Sequence, residues 1–194
     1  KISATYFESS ETLSIARSSL GKAIFTCING ETVGGFIHEL EVYMGAEDRA
    51  CHAFNNKKTK RNDALFHPGG TAYVYLCYGI HHLFNIVTHK VNYPHSLLIR
   101  SIVPFHNSSI MLQRCQKNML TNNILNGPGL VSKAYGITTK LNKERLYGPK
   151  IWIEESNVKI KNEDVLHLKR VGINFAMEAK NYLYRLKIKR NVFI

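Results

Sequence analysis

Residues 23–28, AIFTCI, and 33–44, VGGFIHELEVYM, are two strand-like runs with the Asn-Gly-Glu step 29–31 between them. An Asn-Gly pair between such runs is a hairpin signal, because both central residues of the tight turn adopt left-handed backbone angles. The start of the chain is thereby committed to antiparallel sheet. Further along, TAYVYLCYG (71–79) and FNIVTH (84–89) read as a second strand–turn–strand, and SLLIRSIVP (96–104) as another strand. Later runs, IWIEES, VLHLKRVGI and YLYRLKIKR, read as short strands towards the C-terminal end. Helical spacing is confined to Glu11–Leu20, to Ile110–Met119 and to VSKAYG after the NGPG step at 126–129. Hairpins with scattered short helices predict an α+β fold: one domain, residues 1–194, with a mixed or antiparallel curved sheet.

At 194 residues and 44% hydrophobic, such a domain can bury a core without staples. Cys27, Cys51, Cys77 and Cys115 are widely spaced and form no C-x-x-C pair, which favours free thiols over a disulfide framework. No apolar run is long enough to span a bilayer, and no basic-then-apolar leader is visible. The expectation is a soluble intracellular protein, cytoplasmic or DNA-associated, with no membrane partner.

Net charge sharpens this. The formal charge is +12, and from Arg49 to Lys143 twelve Lys and Arg face a single acid, Asp63. The densest cluster is KKTKR at 57–61. A polyanion, nucleic acid above all, is the partner such a surface favours. Six to eight phosphate contacts would give a salt slope of about −5 to −7.

Against that background, four of the fourteen acids, Glu39, Glu41, Glu47 and Asp48, crowd into HELEVYMGAEDRACHA. Strand alternation puts Glu39, Glu41 and Tyr43 on one face, and Phe36, His38, Leu40, Val42 and Met44 on the other. A solvated strand face is the plain reading of the carboxylates. The chemical reading is that a carboxylate beside a polyanion site is repelled by the ligand and is tolerated because it does chemistry. It can take a proton from water and stabilise a developing cation, as cleavage of an N-glycosidic bond requires. Glu47 and Asp48, in a G-A-E-D turn, are expected to cap or orient the segment that follows. Tyr73, Tyr75 and Tyr78 suit a buried strand, yet phenols also stack on bases, and one at a hairpin tip can wedge into a base stack. His81 and His82 are adjacent, so on a strand they diverge, and no metal site is expected.

Taken together, HELEVYMGAEDRACHAFNNKKTKRNDALFHPGGTAYVYLCYGIHHLFNIV, SLLIRSIVP, NGPGLVSKAYGI and KRVGI resemble the alkyladenine (3-methyladenine) DNA glycosylases, in the family's own order. The resemblance implies a monofunctional, cofactor-free glycosylase of base excision repair. It would act as a monomer on damaged double-stranded DNA, flipping alkylated or deaminated purines out of the duplex. Glu41 would activate the attacking water, Arg100 would lie near that water, and the main-chain carbonyl of Val171 would help place it. Tyr43, His52 and Tyr75 would hold the flipped base, Asn85 would narrow the pocket, and Tyr78 would intercalate in the vacated place. Lys57, Lys58, Lys60, Arg61 and Lys133 are the candidate contacts to the DNA backbone. Glu39 shares the face of Glu41 without a catalytic match, so it serves as an internal comparison. Two positions depart from the family pattern: Leu130 stands where Lys is usual after NGPG, and KRNVFI (189–194) lacks a glycine. A non-catalytic damage binder would keep the basic surface and Tyr78 but have no use for Glu41. An RNA-directed protein is a third reading, since tyrosines stack equally well on RNA bases.

Overall fold

The computed structural model describes residues 1–9, 11–120 and 124–189. Its organising element is β2 (Glu31–Met44), a 14-residue strand that follows β1 (Ala23–Ile28) through the Asn29–Gly30 turn. Both turn residues have positive φ, 54° and 81°, as the Asn-Gly pair anticipates. β3 (Ala72–Cys77) and β4 (His81–Thr88) form the second hairpin, and β5 (His95–His106) returns along β2. The sheet runs β3–β4–β5–β2–β1–β7, with β7 at Ile151–Glu154. The two-residue β6 (Leu125–Asn126) adds to β5, and β8 (Val165–Leu168) pairs with β9 (Arg185–Ile188). Every pairing among the described residues is antiparallel, and the α+β expectation is met by this single curled sheet with its short helices.

Among the described residues four short α-helices attend the sheet: α1 (Ala4–Phe7), α2 (Thr12–Ser19), α3 (Ser108–Cys115) and α4 (Pro128–Tyr135). α1 and β6 carry no periodic signal of their own, being too short to show one. α3 stops at Cys115, ahead of the expected Met119, because Gln116 turns left-handed at φ 56° and closes the helix with bonds to Leu112 and Gln113 carbonyls. The HPGG step has a packing reason. A Cβ on Gly69 would lie 2.2 Å from the Phe7 carbonyl oxygen, so only glycine lets α1 approach this loop. The core lies between the concave sheet face and the helices, around Phe7, Ile24, Ile37, Leu40, Phe84 and Tyr135.

Two expectations are corrected. VLHLKRVGI is strand only as far as Leu168; from Arg170 it leaves the sheet, with Gly172 at φ 76°. The cause is Arg170, whose buried ion pair with Asp48 draws the segment over the end of β2. Strict alternation along β2 also fails. Pairing with β5 runs Phe36–Val103 and Ile37–Ile102, then jumps to Glu39–Ser101, leaving His38 as an extra residue. Ile37, Leu40 and Val42 therefore share the core, while Phe36 packs outside on Phe105, with ring centroids 4.4 Å apart. A bulge shifts the side-chain parity by one, which period-2 reading cannot anticipate. Lys189 bonds to the Asp164 carbonyl, and the rest of the KRNVFI end lies outside the described residues.

Candidate active site

Immediately after the His38 bulge the register slips again, this time on the other strand. Pairing passes from Glu39–Ser101 to Leu40–Ile99, so Arg100 is the residue without an opposite number. Bulges re-aim side chains, and this one turns Arg100 toward the two carboxylates of β2. Its Nε donates to Glu39 Oε1 at 3.2 Å and its Nη1 lies 3.3 Å from Glu41 Oε1.

The two glutamates are not on a solvated face: Glu39 is 3% exposed and Glu41 is 0% exposed. They also differ sharply from each other. Glu39 is surrounded by cations, with Arg185 Nη1 at 3.1 Å and Lys187 Nζ at 3.2 Å besides Arg100. Burial pushes its pKa up, but Arg185, Lys187 and Arg100 together outweigh burial and hold it below the usual carboxylate value. Glu41 accepts the Val171 N–H at 2.7 Å and the Tyr43 hydroxyl at 2.9 Å. Burial dominates here and raises its pKa, against the opposing pull of Arg100, Val171, Tyr43 and Arg170. A buried carboxylate with raised proton affinity is the expected condition of a general base. Glu39 is accordingly no bystander for comparison, because it shares its arginine with Glu41.

Above this pair opens a cleft of about 480 Å³, walled by Tyr43, His52, Tyr73, Tyr75, Asn85 and Arg100. Glu41 lies beneath the lining, behind Arg100 and Val171. Tyr73 and Tyr75 stack with centroids 5.3 Å apart, and His52 stands edge-on to Tyr75 at 4.7 Å. The Tyr73 hydroxyl and His52 Nδ1 share a 2.8 Å hydrogen bond. The residue His52 is exposed, but its ring presses on the tyrosines, and desolvation there, with Arg61, lowers its pKa. Burial raises the pKa of Tyr43, Tyr73 and Tyr75, so all three stay phenols. Asn85 is held by donating Nδ2 to the Tyr73 carbonyl at 3.2 Å.

The cleft therefore unites Tyr43, His52, Tyr75, Asn85, Arg100 and Val171, drawn from four strands and two loops. Tyr78 lines its mouth at the tip of the β3–β4 hairpin, 92% exposed and with φ 49°. Lys57, Lys58 and Lys60 are exposed on the loop beside it. That loop is organised by buried Asn62, which donates to the carbonyls of His52 and Lys57, each at 2.8 Å. Arg61 belongs to the cleft wall: it donates to the Leu76 carbonyl at 3.1 Å and lies over the Tyr75 ring. Lys133 is exposed in the last turn of α4, away from the cleft lining.

Sequence reasoning names Tyr73 as a stacking phenol but not as the residue that holds His52 and Asn85, and it misses the roles of Arg170, Arg185 and Lys187. Asp48 does orient the His52 segment, accepting the Ala50 and Met44 N–H groups, and it also pairs with Arg170. Among the described residues no helix is long and apolar enough to cross a membrane.

The cleft of this basic protein joins aromatic walls to a buried carboxylate, a flat-sided site with a proton acceptor at its base. Comparison with known proteins places it further. The sequence matches the family model for methylpurine-DNA glycosylase over residues 6–192. It is 39% identical over 190 residues to a Chlamydia felis protein named "Putative 3-methyladenine DNA glycosylase", covering 96% of both chains. Proteins of the same name from Chlamydia pneumoniae and Clostridium acetobutylicum are 38% and 37% identical, the matches covering 93% and 95% of this chain and 91% and 93% of theirs. The chain belongs to the methylpurine-DNA glycosylase family, DNA-repair hydrolases that act on N-glycosyl bonds.

Proposed function

We propose that this glycosylase works as a monomer, flips alkylated or deaminated purines out of duplex DNA into the aromatic cleft, and hydrolyses the N-glycosidic bond with a water activated by Glu41. One observation carries the reading: a fully buried glutamate of raised pKa, bonded by a phenol and a backbone amide, lies directly beneath an aromatic cleft.

Extruding a base costs a few kcal/mol, least where pairing is already damaged. Tyr78, exposed at the hairpin tip, is suited to fill the vacated place in the stack. The extruded purine enters between Tyr43, Tyr75 and His52. An N3- or N7-alkylated purine is cationic and is attracted to these ring faces. Where the Tyr73 phenol donates in its 2.8 Å bond to His52 Nδ1, the imidazole carries its proton on Nε2 and can donate it to the base. Asn85, fixed by the Tyr73 carbonyl, narrows the floor.

As the C1′–N bond breaks, its electron pair leaves with the purine and the sugar becomes oxocarbenium-like; a cationic alkylpurine departs neutral, whereas a deaminated purine departs as an anion that takes up a proton from solvent. Water attacks C1′, its proton passes to Glu41, and the products are free base and an abasic sugar. Arg100 favours the ionised form of Glu41, and the Val171 carbonyl is the acceptor that would aim the second water proton. No lysine stands at the reacting position, so strand cleavage through a Schiff base is not expected. Lys57, Lys58, Lys60 and Lys133 supply phosphate contacts.

The test is release of base from duplexes carrying 3-methyladenine, hypoxanthine or ethenoadenine, read as alkali-dependent strand breaks. Wild type should release base, whereas Glu41→Gln should bind the duplex and release none. Tight binding by the wild type without release would make the chain a damage binder and remove Glu41 from chemistry.

A further inference from the structure

We infer that Glu39 is a positioning residue of the reaction: by holding Arg100 through its Nε, it limits that guanidinium to a one-armed contact with Glu41. The inference rests on the proposed role of Glu41 and extends it to a residue that never touches substrate.

Three cations, Arg100 from β5 and Arg185 and Lys187 from β9, converge on the single carboxylate of Glu39 at 3.2, 3.1 and 3.2 Å. Glu41, two residues on, receives one of them, Arg100 Nη1 at 3.3 Å. The division follows from the sheet. β2 is flanked at this point by β5 on one side and β9 on the other, and Glu39 stands opposite Ser101 and Lys187. Arg100 leaves β5 at the bulge, so its guanidinium reaches both acids while still lining the cleft.

Glu41 needs this restraint. An arginine free to swing would pair with a lone carboxylate through two parallel N–H groups. Oε1 already meets the Val171 N–H and one Arg100 arm and Oε2 the Tyr43 hydroxyl, so a second arm on Oε2 would take the last acceptor site open to the water and depress the proton affinity of Glu41. Glu39 prevents it by engaging Nε, while Arg185 and Lys187 keep Glu39 ionised. Remaining charged or titratable groups facing the pair are few. Glu41 meets Tyr43, Tyr75 and Arg170 besides Arg100, and Glu39 has His38 as its strand neighbour, whose pKa is lowered by burial and Lys187.

The signs can be worked out. Glu39→Gln removes a negative charge beside Glu41 and frees Arg100, Arg185 and Lys187 to act on it. Each change favours ionised Glu41, so the acidic limb of the rate profile moves to lower pH. Lys187→Gln does the opposite: a positive charge is lost, Glu39 draws Arg100 more strongly, and the limb moves to higher pH. Lys187 is one-third exposed at its side chain, so this variant is expected to fold even if Glu39→Gln is weakened.

The experiment is single-turnover base release from a lesion duplex against pH for wild type, Glu39→Gln, Glu39→Asp and Lys187→Gln, with DNA affinity and melting temperature recorded. Glu39→Gln should slow release roughly 10- to 100-fold, leave lesion-duplex affinity intact and shift the acid limb downward. Glu39→Asp, which keeps the charge, should return the limb toward wild type. Lys187→Gln should shift it upward. If the wild type is active and the limbs of Glu39→Gln and Lys187→Gln superimpose on it, Glu39 is merely structural and this inference falls alone. A wild type that releases no base would overturn both this and the glycosylase mechanism.

Discussion

Arg170 and Asp48 form a fully buried ion pair that ties the loop after β8 to the turn after β2. Arg170 donates Nη2 to Asp48 Oδ1 at 2.8 Å, with a second arm to Oδ2, and Nη1 also donates to the Val42 carbonyl at 2.8 Å. Its guanidinium lies over Tyr43, 4.8 Å from the ring centroid. The small residues Ala50, Ala176 and Ala179, with Ile173, let the two segments close around Tyr43. This clasp brings the Val171 amide onto Glu41.

Breaking it should cost stability and activity together. Asp48→Asn leaves Arg170 buried without a counter-charge, and a loss of about 3–5 kcal/mol is expected. Urea unfolding measures this; a variant as stable as wild type would show that the pair does not hold the loop.

The acids of β2 should respond to substitution in opposite senses. A raised folded pKa, as at Glu41, means the folded state holds its proton more tightly, so ionising this group at neutral pH destabilises the fold. Glu41→Gln should therefore leave the melting temperature at pH 7 unchanged or higher. Glu39 has a lowered pKa, so its contribution is present above the ordinary Glu value and lost as pH falls through the folded one. Glu39→Gln should lose about 1–3 kcal/mol at pH 7. Equal losses in both variants would contradict this account.

Catalysis should carry the same signature. Glu41 must be ionised to accept a proton, so kcat/KM should fall with decreasing pH, with a midpoint above the ordinary glutamate value. A limb at or below the ordinary glutamate value would point to another base.

Tyr78→Ala should leave stability within about 0.5 kcal/mol, since the side chain is 92% exposed. Lesion-duplex affinity and base release should both fall. Unchanged binding in a gel-shift titration, together with unchanged release, would count against intercalation.

Replacing Lys57, Lys58 and Lys60 together by Gln should weaken binding to damaged and undamaged duplex alike. The salt slope should shrink by about 2–3. A loss confined to damaged DNA would mean the cluster does something other than contact phosphates.

How legible the site was differs from residue to residue. Tyr43, His52, Tyr75, Tyr78 and Glu41 stand in short motifs whose order carries the family resemblance, and the structure gathers them around one cleft. Charge marks Arg61 as a candidate phosphate contact, and its place over the Tyr75 ring in the cleft wall is something charge does not reveal. Phe36 was placed on the wrong face because the extra residue at His38 shifts parity, and an extra residue has no compositional mark.

By itself the sequence determined the local and collective properties: the Asn29–Gly30 hairpin, the strand runs, the basic surface, and which residue types were available for chemistry. Those follow from backbone preferences and from charge, which act over a few residues or sum over the whole chain. Tertiary structure alone decided the electrostatics of the acids. Glu39 and Glu41 differ by two positions and share a strand, yet one gathers three cations and the other an amide, a phenol and one guanidinium arm. Apart from Tyr43, two residues along β2, their partners come from β5, β9 and the loop after β8, between 59 and 148 residues away in the chain. Burial and pairing at that range are products of sheet register and bulges, so two like side chains become unlike acids only once the strands have met.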